Sequence, residues 1–390
     1  MRRYEIFDGF RGFFLIFMAI AHFDGLLRTW VGVVHHKNFG WVEDAQGFVF
    51  LSGLVAGMVY GRRFLAHPSV REAFGRVFAR ARQIYAHQVT LILLALGAAF
   101  ALGTRAPVDF QPYLDAPVTF TAGSLLLVSS SANMGILPMY IVFLLVTPFA
   151  MKLLHRDMVA PYFALVILAW LVAQTSLTGK GMYALENYFI AEGIPARFGL
   201  FFNMLGWQAL FFSGLFVGFR FTEGRLNLDF LDQPQFRVTF FIALGGMTLL
   251  GIFDLIVEFR LLGEGYTERM LLRSPRAVLG VVYPIAFLID LFIVVWLLRN
   301  GATDPLAWIR RLSAGVNWFF TRPALVLLGR HSLHVFTFHI IVYYALAALL
   351  SFYSPSPMGR ELLLVAGIAS LYLCAASRSW WLARARPATV

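Results

Sequence analysis

The stretch RGFFLIFMAIAHFD, Arg11 to Asp24, decides how the rest of the chain is read. It is an apolar run with a guanidinium at one end and an imidazole and a carboxylate near the other. Ten residues separate Arg11 from His22, and eleven steps of about 100° return to nearly the same helix face with a rise of about 16 Å. Ionisable side chains inside a membrane span are costly and normally face a bundle interior or a watery cavity, which makes this face a candidate site.

The surrounding chain fits that reading. Of 390 residues, 59% are hydrophobic and 14% charged, and the mean hydropathy of +0.72 lies outside the range of soluble domains. The sequence is that of a polytopic membrane protein. Aromatic residues make up 16%, as suits interfacial belts. The net charge of +11 does not point to nucleic acid, because the basic residues sit in short loops between apolar runs, where positive-inside bias accounts for them. A single cysteine, Cys374, excludes an internal disulfide and a thiol metal cluster. The first apolar run is long, broken by polar residues and lacks a small-residue cleavage site, so it is read as a span and not as a removed signal.

Runs long enough to cross about 30 Å of hydrocarbon occur at 9–33, 44–64, 84–103, 134–154, 158–177, 198–220, 238–259, 277–298, 323–352 and 361–382. The expected fold is therefore an all-α integral membrane bundle of about ten transmembrane helices, a single polytopic domain over 1–390. Residues 113–131 are apolar but short and punctuated by Pro and Ser, as in a re-entrant or interfacial piece. Lys and Arg number about twenty on the side of the N-terminus and about ten on the other, which places both termini in the cytoplasm. Two segments, 68–83 and 305–320, have the pattern of interfacial amphipathic helices. No internal repeat of the kind found in inverted-repeat transporters is visible.

The first span and the run FVFLSGLVAGMVYGRRF (Phe48–Phe64) resemble the membrane acyltransferases, whose first-span signature is Arg, ten residues, then His. More closely, FDGFRG (7–12), the FVFLSG run, ILPMYIVFLLVTP (136–148), GWQALFFSGLFVG (206–218) and LGRHSLHVFTFH (328–339) resemble the OpgC family, inner-membrane proteins that succinylate osmoregulated periplasmic glucans. The resemblance runs in order over nearly the whole chain. It implies a multi-pass O-acyltransferase of the bacterial inner membrane, embedded in membrane lipid, with acyl-CoA (succinyl-CoA or acetyl-CoA) as donor, a periplasmic glucan as acceptor and no metal. No large hydrolase-like domain of the kind found in the wider superfamily is appended, so transfer is expected within the bundle.

Such chemistry needs an anion-binding inner mouth, a general base near the outer end and a polar path between them. Arg11, Arg80 and Arg82 are candidates for the donor's phosphates through guanidinium fork geometry; Arg80 and Arg82 are equally read as interfacial anchors. His22, about 20 Å along its span, is the candidate base, since a neutral imidazole accepts a proton near physiological pH. Asp24 points off the His22 face; Asp44 and Glu43 are alternative orienters. His339 reaches a depth similar to His22, as a second catalytic or substrate-orienting imidazole. His331 and His334 share a face, but no metal motif accompanies them. Arg330 is read as a buried ion pair with Asp290, with donor binding as the other reading. His87 lines the inner mouth or packs. Trp207 and Gln208 line a cavity or bond between helices, and Asp254 and Glu258 share a face suited to a cation or to sugar hydroxyls. Ser52 is read as packing and not as a nucleophile. Two alternatives belong to another class: a proton-coupled transporter with His22, Asp290 and His339 as relay, and a membrane scaffold.

Overall fold

The computed structural model describes residues 5–33, 41–273 and 275–384; the side chains of 33, 132, 258 and 269–273 lie outside the description. In chain order its first helices are α1 (Glu5–Leu27), α2 (Trp30–Val33), α3 (Asp44–Ala66), α4 (Val70–Leu102), α5 (Gln111–Asp115), α6 (Pro117–Leu125), α7 (Ile136–His155), α8 (Val159–Ala173) and α9 (Leu177–Ala191). Then follow α10 (Met204–Thr222), α11 (Pro234–Glu258), α12 (Glu264–Arg273), α13 (Val282–Asn300), α14 (Ala307–Phe320), α15 (Pro323–Arg330), α16 (Ser332–Leu350) and α17 (Pro357–Arg384). Among the described residues no strand forms, and the one extended pairing is a parallel bridge between Ser129 and Gly199. By length and composition nine of these helices can cross a membrane, and α8 with α9, bent by 56°, makes a tenth candidate.

Several boundaries differ from the sequence reading, each for a local reason. The amphipathic stretch 68–83 and the span 84–103 are one helix, α4, of 33 residues, about 50 Å long. Ser69 caps it by accepting from the Glu72 N–H, and no proline interrupts the change from basic to apolar sequence. The run 158–177 yields only 15 helical residues, α8, about 22 Å, before the chain bends into α9. The run 323–352 breaks at His331 (φ −108, ψ 25) into α15 and α16. Residues 113–131 contribute to α5 and α6, of five and nine residues, each with Pro in its first turn. Neither is long enough to cross.

Glycine sets the closest helix contacts. Gly53 and Gly57 of α3 lie on the carbonyl oxygens of Phe211 and Leu215 in α10, while Gly214 and Gly218 of α10 lie on those of Phe50 and Leu54 in α3. A Cβ at any of the four would fall inside contact distance. This reciprocal small-xxx-small seam is how apolar helices gain packing energy without a hydrophobic driving force. Ser52, beside Gly53, is buried, as the packing reading of LSG expects. A second seam joins α1 to the α14–α15 region: Gly9 abuts the Phe320 carbonyl, Gly12 that of Leu325, and Gly329 that of Asp8. Phe10 stacks on Phe320 with centroids 3.7 Å apart. The motifs FDGFRG and LGR thus mate with each other, holding α1 against the start of α16.

On the far side of α10, α11 and α13 close over a smaller core of Leu231, Phe240, Trp296, Leu297 and Ile309. Arg237 clamps Asp304 at 2.7 Å, and Arg299 clamps Asp232 at 2.6 Å. Arg237 holds the Asp304 carboxyl below the usual carboxylate range by hydrogen bonding to it. Ile242, Leu249, Ile252 and Leu288 on this side are exposed, as lipid-facing residues would be.

Candidate active site

His22 and His339 meet. The α1 face carrying Leu15, Met18, Ala19 and Phe23 is buried, and α16 runs alongside α1. That leaves His22 Nδ1 3.1 Å from His339 Nε2, with the rings offset-stacked at 5.2 Å. His22 is half-buried and His339 fully buried.

The helix around His339 assigns the protons. His339 Nδ1 is buried without a well-formed hydrogen bond, and the groups it interacts with are the Val335 and Phe336 carbonyls one turn back. Carbonyls only accept, so the proton belongs on His339 Nδ1 and the lone pair on Nε2. His22 Nδ1–H must then donate to His339 Nε2. His22 Nε2 is left with an unprotonated lone pair, the state a general base requires.

Tyr343, one turn beyond His339, stands edge-on to His22 with centroids 6.1 Å apart. Its hydroxyl donates to Asp109 Oδ2 at 2.5 Å. Asp109 lies in a short 3-10 turn, Val108–Phe110, after α4. The sequence reading missed both residues; the i,i+4 spacing of His339 and Tyr343 is a signal that could have found the tyrosine, whereas nothing local marks Asp109.

At the other end of the α1 face, Arg11 Nη2 donates to Ser332 Oγ at 2.5 Å. Its guanidinium lies 5.8 Å from the Phe48 ring centre. Phe48 stacks on Phe336, and Phe336 meets His339 edge-on at 4.8 Å. Arg11 and His22 therefore both reach α16, as their shared face predicts, and aromatic rings fill the interval.

His87 is bound into the same helix. Its Nδ1 is 2.9 Å from Thr337 Oγ1, whose hydroxyl donates to Leu333 O. Because that proton is used, His87 Nδ1–H must be the donor to Thr337. The His87 ring also meets that of His334 at 4.9 Å, with Arg80 and Arg378 in electrostatic reach of both. Arg80 bonds Gln83 at 2.7 Å, and Arg82 is exposed. Among the described residues no group of three or more His, Cys, Asp or Glu side chains could hold a metal ion.

Other residues singled out in the sequence lie elsewhere. Asp24 Oδ1 accepts from the Thr29 N–H and hydroxyl, closing the end of α1. Glu43 is engaged in a capping box with Gln46 and an ion pair with Arg276 at 3.1 Å, so it does not orient His22. Asp44 is buried in the first turn of α3, where the helix dipole favours a carboxylate. Trp207 Nε1 donates to Arg276 O and Gln208 Nε2 to Val166 O at 2.8 Å. These bonds are the interhelical alternative and not a cavity lining. Asp254 and Glu43 both act on Tyr283, which places Asp254 with this Arg276 cluster; the Glu258 side chain lies outside the described residues. Arg330 pairs with Glu5 at 2.8 Å and Asp8 at 3.9 Å. Its side chain is 39% exposed, so the expected buried pair with Asp290 is corrected to a rim pair with α1: the break at His331 turns Arg330 away from the direction a continuous helix would give it.

Comparison with curated proteins and with solved structures gives no significant match. A family profile described as "OpgC protein" matches residues 2–383, nearly the whole chain. With its apolar helical bundle and ordered motifs, the chain belongs to the OpgC family.

Proposed function

We propose that the protein is a membrane-embedded O-acyltransferase that moves an acyl group, succinyl by family resemblance, from cytoplasmic acyl-CoA to hydroxyls of a periplasmic glucan. The observation that carries this reading is the hydrogen-bonded pair His22–His339 at 3.1 Å, which puts the His22 proton on Nδ1 and gives Nε2 the unprotonated form of a base, inside a bundle of a family that fits a membrane acyltransferase. Both termini would be cytoplasmic and the membrane the bacterial inner membrane, following the Lys and Arg bias.

The acceptor O–H gives its proton to His22 Nε2 while its oxygen attacks the thioester carbonyl carbon. The new C–O bond forms as the C–S bond breaks. The sulfur leaves as thiolate and takes the proton from His22, returning the imidazole to its starting state. His339 holds the His22 tautomer throughout, the role a carboxylate plays in a catalytic triad. Arg11 donates to Ser332 through Nη2, and its guanidinium is suited to the anionic groups of the donor. The rise of about 16 Å between Arg11 and His22 along α1 is comparable to the reach of an extended pantetheine arm, which would lie against the Phe48 and Phe336 rings.

The test is transfer of label from radiolabelled succinyl-CoA to glucan by purified protein in lipid nanodiscs. Wild type should label the glucan and His22→Ala should not. No transfer by wild type, together with solute uptake driven by a proton gradient in vesicles, would replace this reading with the transporter.

A further inference from the structure

The chain between α4 and α7 dips into the bundle and comes out again. Tyr85 OH donates to Leu125 O, at the end of α6, at 3.1 Å. Tyr85 precedes the last residue of α4, Leu102, by 17 positions, about 25 Å. The segment that leaves α4 at its C-terminal end therefore returns along α4 before reaching α7. Both limbs close on one turn of α16. The inward limb places Asp109 Oδ2 against Tyr343 OH at 2.5 Å. The outward limb places Asn133 against the same hydroxyl and Ser131 against Tyr344. That turn of α16 begins four residues after His339, and the Tyr343 ring touches His22.

The groups gathered here have a distinct chemistry. A carboxylate offers about four acceptor sites, of which Tyr343 takes one; the Asn133 amide offers donors and an acceptor. Among the described residues no cation pairs with Asp109. Beside Ser131, Ser129 and Ser130 are buried (0% and 9% exposed), and among the described residues their hydroxyls have no hydrogen-bond partner. Buried hydroxyls left unmet cost free energy, and such groups in a folded protein call for a polar partner, a ligand or a water. A carboxylate is a poor partner for the donor's phosphates and for a succinyl carboxylate. Closely spaced neutral donors and acceptors suit a polyol.

We propose that Asp109, Asn133 and Tyr343 form the subsite that receives the acceptor sugar, a neutral polyol, and deliver its reacting hydroxyl to His22 Nε2. This deepens the acyl-transfer reading and rests on it for the fate of that hydroxyl, but not for sugar binding. Asp109 accepts from sugar hydroxyls, Asn133 bridges a neighbouring one, and Tyr343 fixes the carboxylate relative to His22.

The experiment is equilibrium binding of a β-linked gluco-oligosaccharide, laminarihexaose, to full-length protein in nanodiscs without donor. Wild type should bind, and Asp109→Asn should raise Kd by about tenfold through loss of a charge-assisted acceptor. Asn133→Ala, on the other limb, should raise it as well, which keeps the test open if Asp109→Asn does not fold. In turnover, the acceptor KM should rise while the acyl-CoA KM stays within about twofold, a split that general misfolding would not give. Absence of binding by wild type, or binding by both folded variants as tight as wild type, overturns the subsite. Transfer of label from acyl-CoA is scored separately: oligosaccharide binding without transfer leaves the subsite standing and sinks the acyltransferase reading alone.

Discussion

Replacing His339 by leucine removes one acceptor and little volume. In the native protein His22 Nδ1 donates to His339 Nε2 across 3.1 Å. Losing that bond costs its net worth, about 1 kcal/mol, and strands an N–H at a partly buried ring, a further 1–3 kcal/mol. The sum of about 2–4 kcal/mol corresponds to about 30- to 1,000-fold in rate. Because the His22 ring is only half-buried, we expect about 100-fold. His339→Gln is the discriminating partner variant: its side-chain oxygen can accept from His22 Nδ1, so it should keep activity within about tenfold of wild type. The assay is release of coenzyme A thiol in nanodiscs at saturating donor and acceptor, with thermal unfolding as a check on folding. Equal losses in His339→Gln and His339→Leu would refute tautomer control, and full activity in His339→Leu would remove His339 from the site.

Arg11→Ala should raise the donor KM by about 10- to 150-fold, the worth of one charge-assisted hydrogen bond, and leave the acceptor KM unmoved; an unchanged coenzyme A affinity would contradict the assignment. Gly218→Ala puts a methyl against the Leu54 carbonyl and should cost about 1–3 kcal/mol, read as a fall in Tm of about 1–4 °C; an unshifted Tm would mean that the α3–α10 seam is looser than described. Arg220 and Arg225 hold the Asp157 carboxyl below its usual range by hydrogen bonding to it, so its contribution is present above the unfolded value of about 3.9 and is lost as pH falls through the lower folded one. The Tm difference between wild type and Asp157→Asn should be constant from neutral pH to about 5 and shrink as pH falls further, through the unfolded value and then the lower folded one; a difference that fades already near pH 6 would assign the effect to another group.

What could be read from the sequence was what helical periodicity and composition control. Arg11 and His22 share a face because the chain between them is one uninterrupted helix, and His339 was placed at the depth of His22 by counting residues from the end of an apolar run. The glycine-bearing motifs were legible as strings, but their pairing was not: Gly12 and Gly329 lie far apart in sequence and gain meaning only when α1 and α15 touch. Misread boundaries came from treating a change in composition as a change in structure. Arg-rich and apolar halves of α4 need no break between them, whereas the break at His331 occurs inside an apolar run with no proline to announce it.

Asp109 shows the limit more sharply. Pro107, three 3-10 residues and two short helices give a segment whose local sequence fixes only that it cannot span. Its depth comes from long-range bonds: Tyr85 holds the Leu125 carbonyl at the end of α6, and Tyr343 and Tyr344 take up its two limbs. A carboxylate exposed on a loop and one brought beside an imidazole pair look alike in sequence, because burial there is set by α4 and α16 and not by its neighbours. The same fact bears on Asp254, Trp207 and Gln208, the acceptor residues expected from the sequence. They lie on regular helices, where facing is predictable, but regular helices in this bundle spend their polar groups on one another: Trp207 on Arg276 O and Gln208 on Val166 O. In the proposed subsite the polar groups that meet the sugar come largely from chain that has escaped helical pairing, Asp109 and Asn133 of the 103–135 segment, with Tyr343 of α16 joining them.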